Sequence, residues 1–142
     1  MSELLKFPSN FVSEQFVEYI DRKEIEQITI KLAGELNNRY QGEELIIVSV
    51  LKGSVIFLSS LVKHLSGIKV FMEFVQLDSI GRTKESTGTI LIKKDIQSNI
   101  QDKNVIVLEE IIDTGRALHF LIERLKLSLS LIHISEPTRL GM

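Results

Sequence analysis

Residues 105–118 read VIVLEEIIDTGRAL. Four apolar residues run into two adjacent carboxylates, Glu109 and Glu110. After Ile111 and Ile112 a third acid, Asp113, leads into Thr114-Gly115-Arg116. A short unbroken apolar run bounded by polar residues is the pattern of a strand buried on both faces, as in parallel sheets. Beyond the turn, Leu118, Leu121, Ile122 and Leu125 recur at helical spacing, so 116–127 is predicted to be a helix. Strand, polar turn and helix form the unit of α/β sheets covered on both faces. Such sheets take ligands beyond the carboxyl ends of their strands, and the three acids fall there.

The preceding residues repeat the alternation. A short strand is predicted over 16–20. Asp21 and Glu24 have capping-box spacing ahead of a helix over 22–40, with Ile25, Ile28, Leu32 and Leu36 on one face and Gly42 ending it. ELIIVSVL at 44–51 is a nearly continuous apolar strand. Lys52-Gly53-Ser54 turns the chain into a helix over 55–65, with Phe57, Leu58, Leu61, Val62 and Leu65 inward. A strand follows at 69–76, then a long polar mobile loop at 77–88 (LDSIGRTKESTG), a strand at 89–93, and a turn at 97–103. This order predicts an α/β fold: a Rossmann-like, mainly parallel twisted sheet flanked by helices, forming one domain over 1–128.

The composition suits that. The chain has 142 residues, 44% hydrophobic and 25% charged, enough for one domain with a core. A net charge of −2 argues against a nucleic-acid partner held by bulk charge. The absence of cysteine excludes disulfides and thiolate chemistry, and a reducing cytoplasm fits it. MSELLKFPSN does not have the form of a signal peptide, and no apolar run reaches the roughly 18–20 residues of a membrane span.

Residues 129–139 (LSLIHISEPTR) match, at all eleven positions, the first-frame translation of a widely used transposon-type sequencing adapter. The tail over 129–142 is therefore expected to be non-native and is set apart from functional reasoning. Its Leu/Ser alternation would also suit a strand over 127–134.

The turn after Leu108 suits a phosphate. Backbone N–H groups and the helix dipole bind anions at a helix start, Gly115 allows close approach, Thr114 adds a hydroxyl donor and Arg116 a positive charge. A Walker loop is excluded by the spacing. Carboxylates at Glu109 and Glu110 do not serve a phosphate, but they accept hydrogen bonds from sugar hydroxyls or hold a divalent cation. A ribose with a phosphate at one end satisfies both halves. Asp113 is then placed to take a proton from an incoming base. The alternative is a polar strand end with Asp113 as a helix cap. The full string E-E-x-x-D-T-G weighs against it.

LEEIIDTGRAL resembles the phosphoribosyl-pyrophosphate signature of type I phosphoribosyltransferases, above all the hypoxanthine/guanine branch, whose usual form is V-E-D-I-I-D-T-G-x-T-L. The likeness spans about 17–128. It includes Leu51-Lys52-Gly53 as the pyrophosphate loop, Ser86-Thr87-Gly88 at the end of the flexible loop, and Lys93-Lys94-Asp95-Ile96 at a strand end. The resemblance implies transfer of a phosphoribosyl group from phosphoribosyl pyrophosphate to a 6-oxopurine, with Mg2+ as cofactor, in a cytoplasmic homo-oligomer, dimer or tetramer. Glu109 and Glu110 would contact the ribose hydroxyls and Mg2+. Asp113 would be the base near purine N7. Ile111 and residues Asp113, Thr114, Gly115, Arg116 and Ala117 would wrap the ribose 5′-phosphate, and Lys52 and Gly53 the pyrophosphate. The family's base-reading residues lie beyond the matched part. A nucleotide-binding regulator of the same fold, and an inactive fragment of the enzyme, stand as alternatives.

Three positions depart from the family pattern. Glu110 replaces an aspartate, so its carboxylate reaches one methylene further. Ala117 replaces a threonine, removing a phosphate donor; a hydrogen bond to a charged group is worth roughly 1.5–3 kcal/mol. Ile80 stands where the flexible loop usually has tyrosine. His64, His119 and His133 share no ligand spacing; His64 and His119 are expected in solvent, as are Lys93 and Lys94, with phosphate contact the alternative for His119 and pyrophosphate contact the alternative for Arg82 and Lys84 on the flexible loop.

Overall fold

The computed structural model describes residues 20–79 and 89–128, Ser79 by its backbone alone. The expected strand at 16–20, apart from Ile20, and the tail over 129–142 lie outside these residues. So does the loop from 80 to 88, with Ser86-Thr87-Gly88, Arg82 and Lys84.

The elements run α1 (Arg22–Arg39), β1 (Glu44–Val50), α2 (Ser54–Val62), β2 (Lys69–Ser79), β3 (Ile90–Lys94), β4 (Asn104–Leu108) and α3 (Arg116–Ser128). The sheet order is β3-β2-β1-β4. β1 is central and pairs in parallel with β2 (Ile47 opposite Met72) and with β4 (Ile47 opposite Ile106). Its side chains divide by parity, as a pleated strand demands. Ile46, Val48 and Val50 join Val75, Ile100, Val105, Leu121 and Leu125 beneath α3. Leu45 and Ile47 join Ala33, Tyr40, Leu58, Leu61 and Leu108 beneath α1 and α2. Burial on both faces explains the unbroken apolar run at 44–51.

The expected mainly parallel sheet is therefore present, with one antiparallel edge. β2 runs three residues past its predicted end, to Ser79, because β3 pairs with it antiparallel (Asp78 opposite Leu91) after an irregularity between Gln76 and Leu77. Residues 77–79 are strand and not loop. In β3, Ile90, Ile92 and Lys94 are half-buried while Leu91 and Lys93 are exposed, the alternation of a strand with one wet face. Lys93 pairs with Asp78 at 2.6 Å, and Lys94 Nζ donates to the Phe74 carbonyl at 3.0 Å, so neither is simply solvated.

Asp21 caps α1 as expected, accepting from the Glu24 N–H at 2.7 Å. The buried face of α1 differs from the predicted one. It centres on Thr29 and Ala33, flanked by Leu32 and Leu36, while Ile25 is 52% exposed. Thr29 enters this face because its hydroxyl donates to the Ile25 carbonyl, which satisfies it inside the helix. Helix α2 ends at Val62, three residues before its predicted end, yet Leu65 still packs inward. Helix α3 runs through Ser128, so 127 and 128 are helical and not the start of a strand.

Candidate active site

Parallel pairing of β1 with β4 brings two turns to the same sheet end. Ser49 lies opposite Leu108, so the turn after β1 (51–53) and the loop after β4 (109–115) leave neighbouring strands side by side. The contact is direct. A Cβ built on Gly53 would lie 1.4 Å from Glu110 Oε2 and 2.2 Å from its Cδ. Only a residue without a side chain leaves the Glu110 carboxylate that seat. Residues Lys52, Gly53 and Glu110, separated in sequence, therefore share one surface, all exposed. The Leu51–Lys52 peptide bond is cis.

Glu109 turns back toward the protein. It is half-buried, and its carboxylate accepts the Glu110 N–H at 3.0 Å. Burial pushes its carboxyl above the ordinary glutamate range; the Glu110 charge adds to this, and the N–H groups of Glu110 and Ile111 oppose it. The two acids therefore differ, one partly desolvated and one in the open. Among the described residues no three acid or histidine side chains gather around one point. Two adjacent carboxylates nevertheless fit Mg2+, which keeps several waters and is usually held by one or two carboxylates plus substrate phosphates.

The loop then exposes Ile111 (73%), Ile112, Asp113 and Thr114. Gly115 has φ +78°, a conformation strained for any residue with a Cβ, and open space surrounds it. The turn is closed by Arg116 N–H donating to Thr114 Oγ1 at 3.4 Å, and the helix begins with His119 N–H on the Gly115 carbonyl at 2.8 Å. A helix start leaves its first N–H groups without helical acceptors, and Asp113, Thr114, Arg116 and Ala117 surround them in the open. His64 and His119 are exposed, as expected.

The far end of α3 is anchored. Arg124 donates to Asp95 at 2.6 Å and to Ser128 Oγ at 2.8 Å, while Asp95 also accepts the Ile96 N–H. Asp95, the residue after β3 in the Lys-Lys-Asp-Ile phrase, thus ties α3 to the end of that strand. Ser49, read only as part of the apolar run, and Ser54, read only as part of the turn, prove to be buried beneath residues 51–53. Their only signal was two hydroxyls within an apolar run.

Comparison with known proteins adds the following. The family model described as "Phosphoribosyl transferase domain" matches residues 17–128. A hypoxanthine-guanine phosphoribosyltransferase of Staphylococcus aureus is 35% identical over 107 residues, covering 75% of this chain and 59% of that protein. One of Dictyostelium discoideum is 36% identical over 106 residues, covering 72% and 59%. The chain thus spans about three fifths of the length of these relatives. Among solved structures, a hypoxanthine-guanine phosphoribosyltransferase of Bacillus anthracis superposes with a TM-score of 0.74 at 35% identity, covering 82% of this chain and 69% of that one.

Proposed function

The chain belongs to the phosphoribosyl transferase domain family, and from that premise we propose that it serves purine salvage in the cytoplasm, moving a 5-phosphoribosyl group from phosphoribosyl pyrophosphate to hypoxanthine or guanine with Mg2+ as cofactor. The observation that supports this reading is the seating of Glu110 against Gly53, which puts the 51–53 turn, proposed here for the diphosphate, beside the acid pair and the 113–117 turn after β4.

The reaction breaks the bond from C1′ to a pyrophosphate oxygen and forms one from C1′ to purine N9. Residues 113–117 would hold the 5′-phosphate with N–H groups, the Thr114 hydroxyl and Arg116. Glu109 and Glu110 would accept from the ribose hydroxyls and hold the cation. Lys52 and the backbone at Gly53 would meet the negative charge that grows on the leaving pyrophosphate. Bound Mg2+ supplies further charge neutralisation at the diphosphate. Asp113 would take the proton released from N7 of the base as N9 attacks.

The test is pyrophosphate release from phosphoribosyl pyrophosphate in the presence of Mg2+ and hypoxanthine or guanine. Release with either purine is expected, and its absence with both contradicts the transfer. Asp113→Asn should lower kcat by roughly 100- to 10,000-fold, the usual range for a positioned acid or base, with little change in donor affinity. An unchanged kcat refutes the base assignment.

A further inference from the structure

Strand β1 has one serine in an otherwise apolar interior, Ser49, and none of it is exposed. Ser54, the first residue of α2, is 1% exposed. Their hydroxyl oxygens lie 2.7 Å apart, and Ser54 Oγ donates to the carbonyl of Val50. A hydroxyl has one hydrogen to give. With that of Ser54 committed to Val50, Ser49 must be the donor to Ser54. The result is a directed relay, Ser49 to Ser54 to the Val50 carbonyl, that closes the base of the 51–53 turn from inside the protein. The turn is also held by Leu51 N–H on the Val75 carbonyl at 2.8 Å and Val55 N–H on the Lys52 carbonyl at 3.3 Å.

Two buried hydroxyls cost stability unless bonded, and an apolar pair would avoid that cost. What the relay adds is directional: it fixes where the end of β1 stands relative to the start of α2, and so the path of Lys52 and Gly53 between them. We propose that Ser49 and Ser54 are positioning residues that pre-form the 51–53 turn for an anionic diphosphate. This rests on the reading of that turn given above. Neither serine reaches the surface, so both act through the turn.

The test is residue-resolved amide hydrogen exchange on the whole chain, together with calorimetric titration of Mg2+-pyrophosphate. In Ser49→Ala the amides of Leu51 and Val55, which are hydrogen-bonded at the two ends of the turn, should exchange about tenfold faster, the effect of one lost hydrogen bond, while those of Ile47 and Ile106 in the central sheet stay as they were. Pyrophosphate affinity should fall in step. Ser49→Thr keeps the hydroxyl and should restore both. Ser54→Ala removes both links and should loosen the turn further. Equal acceleration throughout the sheet, or none at Leu51 and Val55, overturns the proposal. Selective loosening without loss of pyrophosphate affinity overturns the positioning role. A wild-type chain that ignores pyrophosphate counts against the function assigned to the turn, while the exchange comparison still judges the relay.

Discussion

Single residues decide what the site can hold. Glu109 shows the conflict most plainly. Burial raises its carboxyl above the ordinary range, so the folded state favours the proton. Its contribution to stability is complete below the unfolded pKa of 4.5 and is lost as pH rises through the raised value. At neutral pH the ionised group costs stability that Glu109→Gln should return, while the amide oxygen still accepts from Glu110 N–H. On the role proposed for Glu109 in holding the cation, the same change should weaken Mg2+-dependent donor binding about ten- to a hundredfold. Denaturation midpoints at pH 4 and pH 7 and a titration of donor check both parts; a variant less stable at pH 7 contradicts the account of burial. The acids themselves were legible in the sequence because three carboxylates at a strand end serve no packing purpose. The seat of Glu110 was not, because it depends on a parallel pairing that brings residue 53 to residue 110. The longer side chain and the facing glycine were the available signs.

Helix α3 is both a wall of the core and the support of the 113–117 turn. Leu121 is 1% exposed and packs with Val105 and Ile46. Leu121→Ala should cost about 2–5 kcal/mol in urea denaturation, and a loss below 1 kcal/mol would mean that α3 is not docked as described. Helix spacing made α3 and its inward face readable from the sequence, and the apolar run made β1 readable. The face of α1 was read in part: Leu32 and Leu36 pack inward as expected, but Ile25 is exposed and Thr29, which satisfies its hydroxyl within the helix, packs like an apolar residue. The extra residues of β2 were missed because Leu77-Asp78-Ser79 become a strand only through the antiparallel partner β3.

Over the whole molecule, the sheet separates chemistry from stability. The carboxyl ends of β1 and β4 carry the acids and turns. The opposite end carries Glu44, whose carboxylate accepts from Lys103 and from Lys69, tying β4 and β2 to β1. Hydrogen bonds from those lysines hold its carboxyl down at about 2. A group depressed in the folded state stabilises above its unfolded value and loses that contribution as pH falls, here between 4.5 and about 2. Glu44→Gln should flatten the acid limb of stability in that window and leave the profile above pH 5 parallel to wild type, as followed by circular dichroism. An unchanged slope would show that the cluster is not formed in solution. The general architecture was legible because strand and helix periods alternate cleanly. The side-to-side order of the strands was not, since no local pattern encodes which strand lies beside which.

On the proposed function, the loops after β1 and β4 form one site for a sugar phosphate bearing a diphosphate. Its most direct test is calorimetric titration of phosphoribosyl pyrophosphate into the chain with Mg2+ and again with excess EDTA, beside Gly115→Val, which forbids the φ +78° turn. One donor per chain is expected with Mg2+, with affinity weakened about tenfold or more by EDTA and a comparable loss in the folded Gly115→Val variant. Equal affinity in all three, or no binding to a folded wild-type chain, would contradict it.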